Sequence, residues 1–194
     1  MGGESAVTEL RQDQADGCPF FTIGHSNRPL DEFLALLQQS EIACLVDVRK
    51  LTRSRANPQF NETSLSVVLA QAGVDYVHLA ALGGLRGKRD EVPENLNAYW
   101  RNASFHRYAD YALSPAFHAG LQHLLALGKT QRCAIMCAEA VWWRCHRRLV
   151  ADNLLAHGRA VFHIMGLERI ETATLTPAAI IREDRTVVYP GYSL

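Results

Sequence analysis

Between Met136 and Arg148 the chain reads MCAEAVWWRCHRR, where two thiols, a carboxylate, an imidazole and three guanidinium groups crowd around two tryptophans. Several chemistries fit those residue types. Cys137 or Cys145 could act as a nucleophile once a helix start or a nearby cation lowers the thiol pKa. Arg144 and Arg147 flank a predicted helix start, where unpaired N–H groups favour a phosphate or a carboxylate. Glu139 and His146 could move protons. Cys137, Cys145 and His146 are also metal-ligand types. However, C-x7-C-H is not a zinc-knuckle spacing, and an adjacent Cys and His are hard to aim at one ion from a helix. The expectation is no cofactor, with structural zinc as the minor alternative.

Two further clusters carry chemistry. Gly24-His25-Ser26-Asn27-Arg28 follows the apolar run PFFTIG, and Asp47-Val48-Arg49 ends the apolar run IACLV. A histidine near neutrality beside a carboxylate could serve as acid and base, with Asp47 as the orienting group. Gly83 and Gly84 open a charged loop that carries Arg86, Lys88 and Arg89, and a third basic stretch holds Arg53 and Arg55. Cys18, Cys44 and Cys133 read as packing residues, because free cysteine is among the most buried side chains. His163, flanked by Phe162 and Ile164, reads as a core histidine. The aromatic run Tyr99, Trp100, Phe105, Tyr108 and Tyr111 could stack a base, but a packed helix face is the commoner use of such spacing.

The elements that must position these groups alternate. Apolar strands at PFFTIG, IACLVDVR, VDYVHL, QRCAIMC and AVFHIM are separated by segments with helical spacing, such as PLDEFLALLQQS and NETSLSVVLAQAG. LNAYWRNASFHRYADYAL reads as one helix, CHRRLVADNLLAHG as another, and TPAAIIRE as a short one before an edge strand TVVY. Alternation of this kind means βαβ units, and strands apolar throughout belong to a parallel sheet covered on both faces. The expected fold is a single α/β domain, a Rossmann-like three-layer α/β/α sandwich with a mainly parallel five-stranded sheet. The expected boundaries are a disordered leader over 1–17, the α/β domain over 18–166 and a packed tail over 167–194. In such sheets ligands bind beyond the carboxyl ends of the strands. His25, Ser26, Asp47, Arg49, Gly83, Gly84, Cys137 and Glu139 all fall at or just after those ends.

Lys+Arg and Asp+Glu are equal at 20 each, which argues against tight non-specific duplex binding but leaves room for a local anion site. The first residues have no apolar core, and no run reaches the ~20 apolar residues of a membrane span. Five cysteines, an odd count, suggest reduced thiols and a cytoplasmic location.

TIGHSNRPLDEFLALL, LVDVRKLTRSRANPQF, GVDYVHLAALGGLR and AIMCAEAVWWRCHRRLVADNLLAHGRAVFHI, taken together, resemble the bacterial family called "domain of unknown function 488". The resemblance implies signature positions at Gly24, His25, Ser26, Asp47, Arg49, Gly83, Gly84, Cys137, Glu139, Cys145, His146 and Arg147. Leu51-Thr52 departs from it, since the family often has a proline before the serine. It brings no activity with it. The leading functional expectation is a hydrolase or transferase acting on a small anionic, phosphorylated or nucleotide-like ligand. In that reading Arg49, Arg144 and Arg147 hold the anion, His25 and Glu139 transfer protons, and Cys137 or Cys145 is the nucleophile. The alternatives are a base-processing hydrolase on nucleic acid or nucleosides, working through carboxylates, and a non-catalytic nucleotide or nucleic-acid binding module.

Overall fold

The computed structural model describes residues 17–191. The leader expected over 1–17 lies outside that range except for Gly17. Strands β1 (Phe20–Gly24), β2 (Cys44–Asp47), β3 (Asp75–His78), β4 (Cys133–Cys137) and β5 (Val161–Gly166) run parallel. A sixth strand, β6 (Arg169–Thr172), returns antiparallel on β5, and the order across the sheet is β3-β2-β4-β1-β5-β6. The expected five-stranded sheet is therefore six-stranded. The added strand, RIET, is a half-exposed edge with two charged residues, so no apolar run announces it. It also carries the sheet across the boundary expected at 166/167.

Helices α1 (Leu30–Gln39) and α2 (Glu62–Gln71) cover one face of the sheet. Helices α3 (Ala103–Ala112), α4 (Pro115–Leu127) and α5 (Arg147–Ala156) cover the other. Period-two alternation sorts the strand residues between them. Leu45, Met136 and Ile23 join Phe33, Leu36 and Leu65 in one buried cluster. Val46, Ile135 and Phe20 join Tyr108, Phe117 and Leu149 in the other. Each face is a largely apolar layer, and the polar groups of Asp47 and Cys137 lie at the strand ends.

Two local readings are corrected. The long helix expected over LNAYWRNASFHRYADYAL begins only at Ala103, because the Asn102 side chain accepts from the Ser104 and Phe105 N–H groups and fixes the start there. The short helix expected at TPAAIIRE is instead β7 (Ile180–Ile181), which pairs antiparallel with β8 (Val187–Val188). Adjacent β-branched isoleucines favour a strand when a partner is at hand.

The connections set where a ligand can enter. The chain leaves β2 toward β3 on one side and leaves its neighbour β4 toward β5 on the other. Their carboxyl ends therefore bound the crevice of a topological switch point. Asp47 and Cys137 are the last residues of those two strands.

Candidate active site

The strand-end residues form two clusters, one on each face of the sheet. Asp47 extends the alternation that puts Leu45 on the α1/α2 side, while Cys137 extends the one that puts Ile135 on the α3–α5 side.

The first cluster is built on Asp47, which is fully buried. Arg49 doubles back onto it: Nε donates to Oδ1 at 2.9 Å and Nη2 to Oδ2 at 2.6 Å. The Arg49 backbone N–H and the Tyr76 hydroxyl also donate to the same carboxylate, at 3.0 and 2.7 Å. Arg49 Nη2 reaches the Phe60 carbonyl at 2.7 Å, and Nη1 lies 3.2 Å from His25 Nε2. That contact fixes the imidazole tautomer. Nδ1 sits 2.8 Å from the Ser26 carbonyl and must carry the proton, so Nε2 offers a lone pair to the guanidinium. Burial pushes the His25 pKa down to about 4, with the Arg49 charge adding to the effect. His25, stacked on Phe60 with ring centroids 4.3 Å apart, is thus a neutral prop whose one lone pair is engaged.

The second cluster surrounds Cys145. The residue is extended (φ −124°, ψ 148°) just before α5, which turns its thiol back toward β4. Its Sγ accepts from the Arg147 backbone N–H at 3.5 Å and from Arg147 Nε at 3.4 Å. His146 Nδ1 is 3.6 Å away from the same sulfur and 4.0 Å from Cys137 Sγ. Burial alone would raise the Cys145 pKa, but hydrogen bonds from Cys137 and His146 and the Arg147 charge carry it well below the ordinary thiol value. The Cys137 thiol is pushed up, chiefly by its hydrogen bond to Cys145 and then by burial. The two sulfurs compete for one proton, and these directions favour charge on Cys145 over Cys137.

Cys137, Cys145 and His146 bring their donor atoms within 4.8 Å of one another. The difficulty of aiming an adjacent Cys and His at one ion applies to a helix, and here Cys145 is extended just before α5. Such a trio is close enough to hold one ion. A ligating imidazole, however, ordinarily donates its other N–H, and His146 Nε2 is buried without a partner. If Nδ1 carries the proton and donates to the thiolate, only a lone pair at Nε2 goes unmet, which costs less than a buried N–H. Proton sharing therefore fits the trio better than coordination.

Glycines let the pieces approach. A Cβ on Gly24 would sit 2.0 Å from the Glu139 carbonyl oxygen and 2.7 Å from that of Ala140, so only glycine lets the β4–α5 loop cross the end of β1. Arg147 Nη2 holds that same Glu139 carbonyl at 2.6 Å. A Cβ on Gly84 would press within 3.0 Å of His146 Nδ1. Gly83 is buried beside the Lys50 backbone, and its carbonyl accepts from Arg86 Nε, which ties down the loop.

Cys137, Glu139, Arg144, Cys145, His146 and Gly84 line a cleft of about 170 Å³ together with Phe105 and Tyr108. Arg144 and Glu139 are exposed, while both cysteines are buried at its floor. His25, Ser26 and Arg49 line a separate cavity of about 430 Å³, which reaches Ala138. The two cavities are thus one peptide unit apart, along the loop at Ala138-Glu139. Asp47 lies behind Arg49, and Gly83 lines neither cavity.

The sequence reading missed Tyr76 and Phe60. Tyr76 had a signal, since a hydroxyl within a strand beside a buried aspartate invites that pairing. The Phe60 carbonyl had none. Of the tryptophans, Trp142 stacks on His163 at 4.3 Å and donates to Glu171, whereas Trp143 is exposed. His163 is indeed a core histidine, bonded to Thr22 Oγ1 at 2.8 Å, and burial lowers its pKa to about 4.

These two lowered histidines predict acid sensitivity. From pH 6.5 down to 4 the unfolded chain takes up protons at His25 and His163 that the folded chain does not, so stability falls across that window. The loss is on the order of 2 kcal/mol for each histidine by pH 4. Urea midpoints measured between pH 7 and 4.5 should drop, and the drop should shrink in His163→Gln. An unchanged slope in that variant would contradict the assignment.

Fold and site together define a three-layer α/β protein with a cysteine-lined cleft at the switch point of its sheet. The chain belongs to the family described as Domain of unknown function DUF488, whose model matches residues 29–154. No curated protein and no solved structure matches it. Among the described residues no helix is long and apolar enough to cross a membrane.

Proposed function

We propose that the protein is an enzyme, a hydrolase or transferase, that attacks a small anionic, phosphorylated or nucleotide-like substrate through Cys145 Sγ. The observation that carries this reading is the environment of that sulfur, which two N–H groups of Arg147 and the His146 and Cys137 side chains all face. Such surroundings hold a thiolate ready at neutral pH. Arg144 at the mouth attracts the anion. A cleft of about 170 Å³ takes the reacting group and leaves the rest of the molecule outside it.

In the first step Cys145 Sγ forms a bond to the electrophilic phosphorus or sulfur. The bond to the leaving group breaks, and the leaving group departs with the electron pair. Water or an acceptor then attacks the adduct, the bond to Sγ breaks and returns its electron pair to Cys145, and Glu139, which lines the cleft, takes the attacking proton. His25 has no part in this, because it lies in the other cavity with its lone pair engaged. Hydrolysis through carboxylates is the weaker reading, since Asp47 is fully committed to Arg49 and Tyr76. A bacterial cytoplasmic setting, suited to five free thiols, completes the proposal.

Covalent capture tests the reading. Incubation with para-nitrophenyl phosphate or thiosulfate, followed by acid quenching and peptide mass analysis, should show an adduct on Cys145 that is absent from Cys145→Ser. Product formation with Cys145→Ser as fast as with the wild type would overturn the proposal.

A further inference from the structure

The cavity of about 430 Å³ beside the ends of β1 and β2 has no role in the thiol chemistry. Arg49, Arg53, Ser26, Ser54, Asn27 and Asn57 supply its polar lining, and none of its lining residues is a carboxylate. We propose that this cavity is a binding site for an oxyanion of the phosphate class. The inference does not rest on the thiol mechanism.

Arg49 is the built part of the site. It is only 5% exposed, and Asp47, the Phe60 carbonyl and His25 fix its guanidinium without any ligand. Nε and both Nη2 hydrogens are engaged there, and Nη1 makes one contact, to His25. A planar guanidinium carries two N–H groups on Nη1, so one remains for an incoming acceptor. Because its orientation is already set, a ligand need not order that side chain, and this lowers the entropic cost of binding. His25 keeps the wall neutral and never presents an anion.

Arg53 brings the net charge. It stands exposed at the rim and makes no ion pair among the described residues. Ser26 adopts the left-handed region at φ 48°, a conformation rare outside glycine, and Ser26 and Asn27 both border the cavity. Strained backbone of that sort concentrates at ligand sites. A cavity of about 500 Å³ beside α3 differs: it has Lys88, Arg101 and Arg107 among its lining, but Asp90, Glu94 and Asp110 share it and offset them. The cavity beside β1 and β2 combines a fixed buried arginine, an unpaired rim arginine and neutral amide and hydroxyl groups.

Isothermal titration of the full chain with inorganic phosphate, pyrophosphate and AMP at millimolar concentrations tests the assignment. At least one should bind, and Arg53→Ala should weaken it by roughly tenfold to a hundredfold, the scale of one hydrogen bond to a charged group. Asn57→Ala should weaken it less, and Cys145→Ser should leave it unchanged. Arg53 and Asn57 lie at the surface or half-buried, so both variants should keep the wild-type melting temperature. Absence of binding by all three anions, binding indifferent to Arg53→Ala, or binding lost in Cys145→Ser would each overturn the proposal. The last would mean that the anion sits in the cysteine cleft instead.

Discussion

Cys145→Ser is expected to cut turnover by roughly 10³-fold or more, the scale on which removal of a catalytic nucleophile is felt. A serine hydroxyl ionises far too weakly for the donors around that position to hold it as an anion at neutral pH. Cys137→Ser should be milder. It removes the thiol that shares its proton with Cys145, and such a hydrogen bond to a charged group is worth about 1.5–3 kcal/mol. The Cys137 variant should therefore lose roughly tenfold to a hundredfold in rate while still forming the Cys145 adduct. Equal and complete loss in both variants, with neither forming an adduct, would instead point to a joint role for the two sulfurs, as in metal coordination.

The second large effect is on stability. Asp47→Ala strips the buried Arg49 of its one carboxylate partner among the described residues. Breaking a buried ion pair from one side costs about 3–5 kcal/mol, because the remaining charge is left uncompensated. Tyr76 loses its acceptor at the same time. The double variant Asp47→Ala/Arg49→Met should recover part of that loss, since it removes the stranded charge and refills some of the volume. Chemical denaturation at pH 7 with a constant slope would measure both. A single-variant loss below about 1 kcal/mol would mean that water or a rearranged Arg49 replaces the lost partner.

The parallel sheet and its polar edge were legible because they rest on short-range patterns. IACLV and CAIMC are apolar at every position, as strands covered on both faces must be. The ends of those strands then placed Asp47 and Cys137 at the same edge. The division of that edge into two cavities was not legible. It depends on which face each last residue points to, and hence on a register set by the whole sheet. Strand β6 escaped because an edge strand need not be apolar, and Ile180–Ile181 escaped because its partner lies several residues downstream. The convergence of Cys145 and His146 was hidden too. Adjacent residues on a helix diverge, but here the helix starts only at Arg147, so the extended backbone at Cys145 sends its thiol toward β4. Tyr76 was within reach of the reading; the carbonyls of Phe60 and Glu139, which hold the two arginines, were not.

The central claim is that Cys145 is a thiolate in the resting protein. Site-resolved alkylation by iodoacetamide, followed by peptide mass analysis from pH 8 down to pH 6, tests it most directly. An ordinary thiol with a pKa of about 8.5 loses reactivity nearly tenfold per pH unit over that range. Labelling at Cys145 that stays level across the range is the predicted result. Labelling that falls tenfold per unit at Cys145, or a Cys145 that takes no label in the native protein, would contradict it.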